Sequence, residues 1–350
     1  MAKRYFLSLL ALMFCFSAFS QQSTSLSGQG IEANPYLIQS VADFNYFKQS
    51  ADKSKYYKQT TDLNLGSITI TQNGYIQNFS GTYDGDGHSI TFTATATATG
   101  DGARLALFGN VTGKIQNLNL LNCTLNASAN SNVSANVALL CANLSTTNAL
   151  ITDCNITGGT ITSTIRTNSA WEKAQTGLLV GYMANCWVKY CNVQGNVAGM
   201  GYVGGVVGQS KNGDIYGCSF YGSAKATYDG DGGWGDIIGG IFGSGTGGYA
   251  GGIVGDADSQ STINLCYVNA DIESATEGNG VGSGNRGGIF GIGKGNPVVK
   301  NSYAEGTVDG QPINGNNITN SNQGSNNYHP GSGSAEDIVD NLNDAADGDD

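Results

Sequence analysis

GGVVGQSKNGDIYGCSF, residues 204–220, is the stretch from which the rest of the chain can be read. Two glycines, two apolar residues and a third glycine form a first strand; a polar turn, a second short strand and a cysteine follow. Five other segments line up on it, at residues 106–125, 138–156, 177–193, 251–268 and 287–304. Their final column holds Cys123, Cys154, Cys191, Cys218, Cys266 and, in the last segment, Ser302. A strand–turn–strand unit of this size buries its apolar face only against another copy of itself, so the repeat predicts a solenoid. Parallel strands joined by crossovers are right-handed almost without exception. The expected fold is therefore all-β, a right-handed parallel β-helix.

Spacing sharpens that picture. The template glycine position is taken by Gly109, Cys141, Gly181, Gly208, Gly255 and Gly291, and from there to the cysteine column the step is 10 to 14 residues. From the column to the next template position it is 17 to 37 residues. The first half of each coil is nearly fixed, as stacking in register requires, and the variation lies in the second half. Insertions leaving from one corner project from one side of the stack, the side where repeat proteins bind.

The chain starts with Lys3 and Arg4, an apolar run from Tyr5 to Phe16, and Ala18-Phe19-Ser20 before Gln21. This basic–apolar–small order reads as a signal peptide over residues 1–20, cleaved after Ser20, and predicts an exported protein at the cell surface or secreted. Phe14 before Cys15 does not suit a lipidation site. No later apolar stretch is long enough for a membrane helix. The formal net charge is −11, and the basic residues are scattered, which argues against nucleic acid as a partner.

After cleavage seven cysteines remain: Cys123, Cys141, Cys154, Cys186, Cys191, Cys218 and Cys266. Side chains stacked in register point in parallel, and the number is odd. They are read as an interior ladder of reduced thiols filling space. Without a CxxC pair or a nearby histidine no metal site is expected, nor any cofactor.

Residues 21–62 read as a leader and capping segment, in which Ser40 or Asp43 caps a short helix through Phe44 and Phe47. Such a helix closes the open first coil. The solenoid is expected over 63–310. Residues 311–333 read as an Asn/Gly-rich linker, and 334–350 as a short acidic helix and tail. Thr91 to Thr99 alternates Thr with Phe or Ala, a strand with one hydroxyl-lined face. Ice-binding solenoids carry such an array on successive coils, and the sequence displays the tract once.

NPYLIQSVADFNYF (34–47), YYKQTTDLNL (56–65), FSGTYDGDGHSI (79–90) and the GGIVG and GGIFG coils together resemble surface proteins with the GLUG repeat, common in gut Bacteroidota. The same repeat occurs in the non-catalytic part of some large bacterial immunoglobulin A peptidases. The resemblance implies a β-solenoid, export and adhesin-like or structural duty at the envelope, and implies no mechanism. HExxH is absent, and His88 and His329 are the only histidines, which excludes a zinc peptidase for this chain.

Parallel β-helices also include polysaccharide lyases and glycoside hydrolases, which need paired carboxylates in a groove. The best local acids are Asp229, Asp231 and Asp236, beside Tyr228 and Trp234 in the longest excursion, with Glu172 and Glu277 as further candidates. YDGDGGWGD also reads as a plain glycine turn, and the twelfth position from Asp229 is Gly240, which fails an EF-hand. Asp84, Asp86 and His88 read as turn residues bonding locally. Trp171 and Trp234 fall in excursions expected on the same side, and Glu172, Lys173, Tyr228, Asp236 and Tyr249 would offer hydrogen bonds around them. Trp187 lies near a strand and reads as packing. The expectation is a monomeric, non-enzymatic binding module whose partners are glycans or surface proteins.

Overall fold

The computed structural model describes residues 25–49, 52–167, 174–227, 248–274, 286–294, 297–312 and 325–328. They form a parallel β-helix. A full coil contributes a short strand to a six-stranded sheet, a strand to a seven-stranded sheet, and a short and a long strand to a 19-stranded sheet. Strand pairing is parallel apart from Thr307–Val308 against Gln311–Pro312 and one isolated bridge, Ile31 to Asn34. No helix among the described residues is long and apolar enough to cross a membrane.

Interior ladders run along the axis. In the seven-stranded sheet Ile76, Phe108, Cys141, Val180, Val207, Val254 and Phe290 are successive partners, all fully buried. Cys141 thus belongs to an apolar ladder, and Ala142 takes the template glycine position, opposite Gly181. The preceding coil is one residue shorter ahead of this strand, Leu105 to Phe108 spanning three residues where Val137 to Cys141 spans four, which displaced Cys141 by one in the sequence alignment.

Register also corrects the cysteine column. Asn119 pairs with Asn155, Asn155 precedes Ile156 opposite Val193, and Asn192 pairs with Ser219. The ladder that follows is Leu118, Cys154, Cys191, Cys218, Cys266 and Ser302. Cys123 lies five residues further on, level with Gly159. Its place goes to Leu118 because an interior position selects for apolar volume rather than for sulfur. With Leu118 and Ala142 in place, the step from template position to ladder narrows to between 9 and 12 residues. All seven described cysteines are free and buried.

The residue before this ladder turns the corner. Gly87, Asn117, Asp153, Tyr190, Gly217, Leu265 and Asn301 occupy one column, with φ between +45° and +80°. The glycines of the strand motif have a different reason. A Cβ on Gly255 would lie 2.5 Å from Val203 N and 2.7 Å from Gly208 O, so the strand approaches the six-stranded sheet backbone to backbone. On Gly205 it would meet the ring of Phe220 at 2.3 Å.

The N-terminal helix, Val41–Gln49, is capped as the sequence suggests. Ser40 Oγ accepts from Asp43 N at 3.2 Å, and the Asp43 carboxylate accepts from Ser40 Oγ at 2.9 Å and from Gln39 N, one residue ahead of the cap, at 3.1 Å. Phe44 and Phe47 are fully buried against Tyr57, Phe79, Tyr83 and Phe108 and plug the first coils. The parallel stack starts ahead of residue 63, since Tyr36–Ile38, Tyr56–Gln59 and Thr82–Asp84 are its first rungs. At the other end Ser325–Tyr328, inside the expected linker, pairs in parallel with the strand Val298–Val308. The expected helix over 334–350 lies outside the described residues.

The hydroxyl-lined strand recurs on successive coils, contrary to the sequence expectation. Ser67, Thr93, Thr124 and Thr160 are partners in one row, and Thr69, Thr95, Asn126 and Thr162 in the next. One alternating tract is visible as such in the sequence; the other coils reach the same face with mixed Thr, Ser and Asn that only register aligns.

Candidate functional site

The outer face of the long strands opens, just past the left-handed corner, onto an amide and tyrosine strip. Asn119, Asn155, Asn192, Ser219, Tyr267 and Tyr303 are successive register partners. Adjacent coils stand about 4.8 Å apart, close enough for each amide to bond the next. Asn155 Nδ2 donates to Asn119 Oδ1 at 3.0 Å, Asn192 Nδ2 to Asn155 Oδ1 at 3.3 Å, and Ser219 Oγ to Asn192 Oδ1 at 2.7 Å. These bonds fix which amide edge faces outward.

Rings continue the strip toward the C-terminus. Tyr221, 41% exposed, stands 5.4 Å from Tyr267, and Tyr267 stacks on Tyr303 at 5.6 Å and 19°. The Tyr267 hydroxyl bonds the Glu305 carboxylate, which also accepts from Asn269 Nδ2 at 2.7 Å. Burial first, and then the neighbouring Glu305 charge, push the Tyr267 phenol well above its ordinary range, so it is a neutral donor. A depression of about 480 Å³ is lined by Asn119, Asn155, Thr157, Asn192, Gln194 and Tyr221.

Beside it, on the short-strand side of the corner, lies Trp187. It is 40% exposed, with Lys189 Nζ 4.1 Å above its ring, which corrects its reading as a packing residue. Its position opens outward because Val188, its neighbour, takes the interior site. Tyr190, 52% exposed, sits in the left-handed corner 5.5 Å from Tyr216. A Cβ on Gly217 would touch the Tyr190 ring at 2.8 Å, so this glycine leaves space for it.

Of the residues expected to bind, Trp171, Glu172, Tyr228, Asp229, Asp231, Trp234 and Asp236 lie outside the described residues, as do Lys173 and Glu277. Tyr249 lies in the strand Tyr249–Gly251 of the six-stranded sheet, 5.4 Å from its register partner Tyr202. The chain leaves the described structure after Thr167, Thr227 and Ser274 and re-enters at Ala174, Gly248 and Arg286. All these points lie between the end of a long strand and the start of a six-stranded-sheet strand, at one corner.

At the N-terminal turns Asp84 accepts from Asp86 N, Gln116 Nε2 and Asn117 Nδ2 at 2.8 to 3.0 Å. Lys58 pairs with Asp86 at 3.0 Å, and His88 lies 3.6 Å from Asp62, so these groups are engaged locally. Among the described residues no group of three His, Cys, Asp or Glu is placed to hold a metal ion. The strip gained little from sequence reasoning, because Asn155, Asn192 and Tyr221 are ordinary surface residues until register stacks them.

No protein-family model and no curated protein matches the chain. Among solved structures it is similar to a Bacteroides ovatus protein described as a "putative immunoglobulin A1 protease", with a TM-score of 0.58 and 18% identity over 90% of this chain and 88% of that one. At that identity the likeness is one of fold.

Proposed function

We propose that the protein is an exported, non-enzymatic β-solenoid of the GLUG-repeat kind that binds neutral glycan chains along the Asn–Tyr strip, with the excursion corner as a second contact edge. The observation that carries this reading is the ladder of amides held in fixed orientation beside the exposed rings of Trp187, Tyr190 and Tyr221. Sugars present hydroxyls at their edges and C–H groups on their faces, and oriented amides and open aromatic faces answer these two features. A chain polymer also suits a strip that extends along the solenoid axis. Export rests on the basic, apolar and small regions of residues 1–20.

The test is a glycan array with the chain starting at Gln21, followed by titration calorimetry on the best ligand. Trp187→Ala and Tyr221→Ala should each weaken binding roughly tenfold, about 1.4 kcal/mol. Binding that survives both substitutions but disappears in Trp171→Ala with Trp234→Ala moves the site to the excursion corner. Turnover of the glycan by the unaltered chain would reject the non-enzymatic reading.

A further inference from the structure

The hydroxyl rows form a two-dimensional array on a part of the long sheet nearer the N-terminus than most of the strip. Four successive coils contribute Ser67 and Thr69; Thr93, Thr95 and Thr97; Thr124, Asn126 and Ser128; and Thr160 and Thr162. The intervening residues Ile68, Ala94, Ala96, Leu125, Ala127 and Ile161 are buried, so the polar members share one outward face. The register is unbroken inside the array, its shifts falling before it at Asn64/Gly66 and Ile156/Gly159.

Three observations set this face apart. Its hydroxyls make no side-chain hydrogen bond within the described structure, whereas equivalent groups on later coils are tied laterally, Ser223 to Asn196 and Thr307 to Asp271, both at 2.8 Å. The array bears no charge, and charge enters only later in the same rows, where Lys225 meets Glu273 at 2.7 Å. It also carries no aromatic ring, unlike the strip. A charged polymer has nothing to pair with here, and a single sugar chain has nothing to stack on.

The spacing points to a ligand that is itself a lattice. Hydroxyls on adjacent strands stand about 4.8 Å apart, and those at i and i+2 about 6.7 Å apart. In a tetrahedral water network built from O–H···O bonds of about 2.75 Å, second neighbours lie about 4.5 Å apart and the perpendicular layer repeat is about 7.3 Å. Both repeats agree with the array to within about a tenth. A rigid sheet holding free hydroxyls and threonine methyls on that grid can order a first water layer continuous with ice.

We propose that this face, centred on Thr95, Thr124 and Thr160, binds the surface of ice through an ordered water layer. It is a separate activity from glycan binding and uses different residues. The experiment is partition of the fluorescently labelled chain, starting at Gln21, into a slowly grown ice hemisphere, together with microscopy of single ice crystals. The chain should concentrate in the ice and facet the crystals. Thr95→Lys and Thr160→Lys should lower incorporation by roughly tenfold while leaving the urea midpoint unchanged. Asn126→Thr completes the second row and should raise incorporation. Trp187→Ala should leave it unaltered, which separates this face from the strip. Exclusion of the unaltered chain from ice, or incorporation insensitive to Thr95→Lys, would overturn the proposal. Retention on crystalline chitin that Thr95→Lys abolishes, without ice incorporation, would overturn it too and assign the face to a crystalline polysaccharide.

Discussion

A thiol in the corner ladder makes the same bond that a serine makes in the last coil. Cys154, Cys191, Cys218 and Cys266 each direct Sγ to the carbonyl two residues earlier, at 3.1 to 3.4 Å. Ser302 Oγ donates to Lys300 O in the same way at 2.7 Å. Cys191→Ser keeps that bond and should cost about 1 kcal/mol, whereas Cys191→Leu overfills the space between Cys154 and Cys218 and should cost 1–3 kcal/mol, roughly. Urea midpoints separate the two. Burial pushes the Cys154 thiol up to about 12, so native protein should not react with a thiol reagent near neutral pH and should titrate fully in denaturant. Asp84 behaves oppositely. Burial alone would raise its carboxyl, but hydrogen bonds from Asp86, Gln116 and Asn117 outweigh it and hold the group below its ordinary 3.8. A depressed folded value means a stabilisation present above the unfolded value and lost as pH falls through the folded one. Asp84→Asn should therefore flatten the acid limb of the stability–pH curve below about pH 4, read by thermal unfolding at each pH.

At the scale of the strand, close approach decides what is tolerated. Gly255 sits where a side chain would enter the backbone of the neighbouring sheet, with Val203 N 2.5 Å from the added carbon. Gly255→Val should cost about 3 kcal/mol, seen as a lowered urea midpoint. The glycine motif was legible from residues 204–208 together with 251–255 and 287–291, because recurrence of the same spacing required the same element. The cysteine column was legible from Cys154 onward and misleading at Cys123. There, residue identity suggested an alignment that the apolar pattern Leu118, Leu120 did not support. Trp187 shows the complementary failure. Its strand was evident, but which of two adjacent residues faced outward depended on Val188 completing the ladder of Ile151 and Ile215.

At the scale of the whole molecule, the described coils share one long apolar core with an aromatic plug at its N-terminal end, beside a small separate cluster of Ala106, Ala138 and Ala142. Removing residues 1–49 should uncover Phe79, Tyr83 and Phe108 and the free edge of Tyr56–Gln59, and such an edge pairs with other chains. The shortened chain should run as large oligomers by light scattering where the chain from Gln21 runs as a single species. The sequence by itself determined the coil, its nearly constant first half, its glycine corner and the capping helix, since each rests on local spacing and local steric limits. It also indicated that the excursions leave from one corner, because the interval from the ladder to the next template position, 17 to 37 residues, varies far more than the rest of the coil. Tertiary structure alone decided which surface residues stand side by side. Asn119, Asn155 and Asn192 are separated by 36 and 37 residues in the chain, and Thr95 and Thr162 by 67, yet each group shares a face. Rows of that kind are set by how coils of unequal length stack, and a one-residue slip in the pairing of a long strand would turn its outward residues inward.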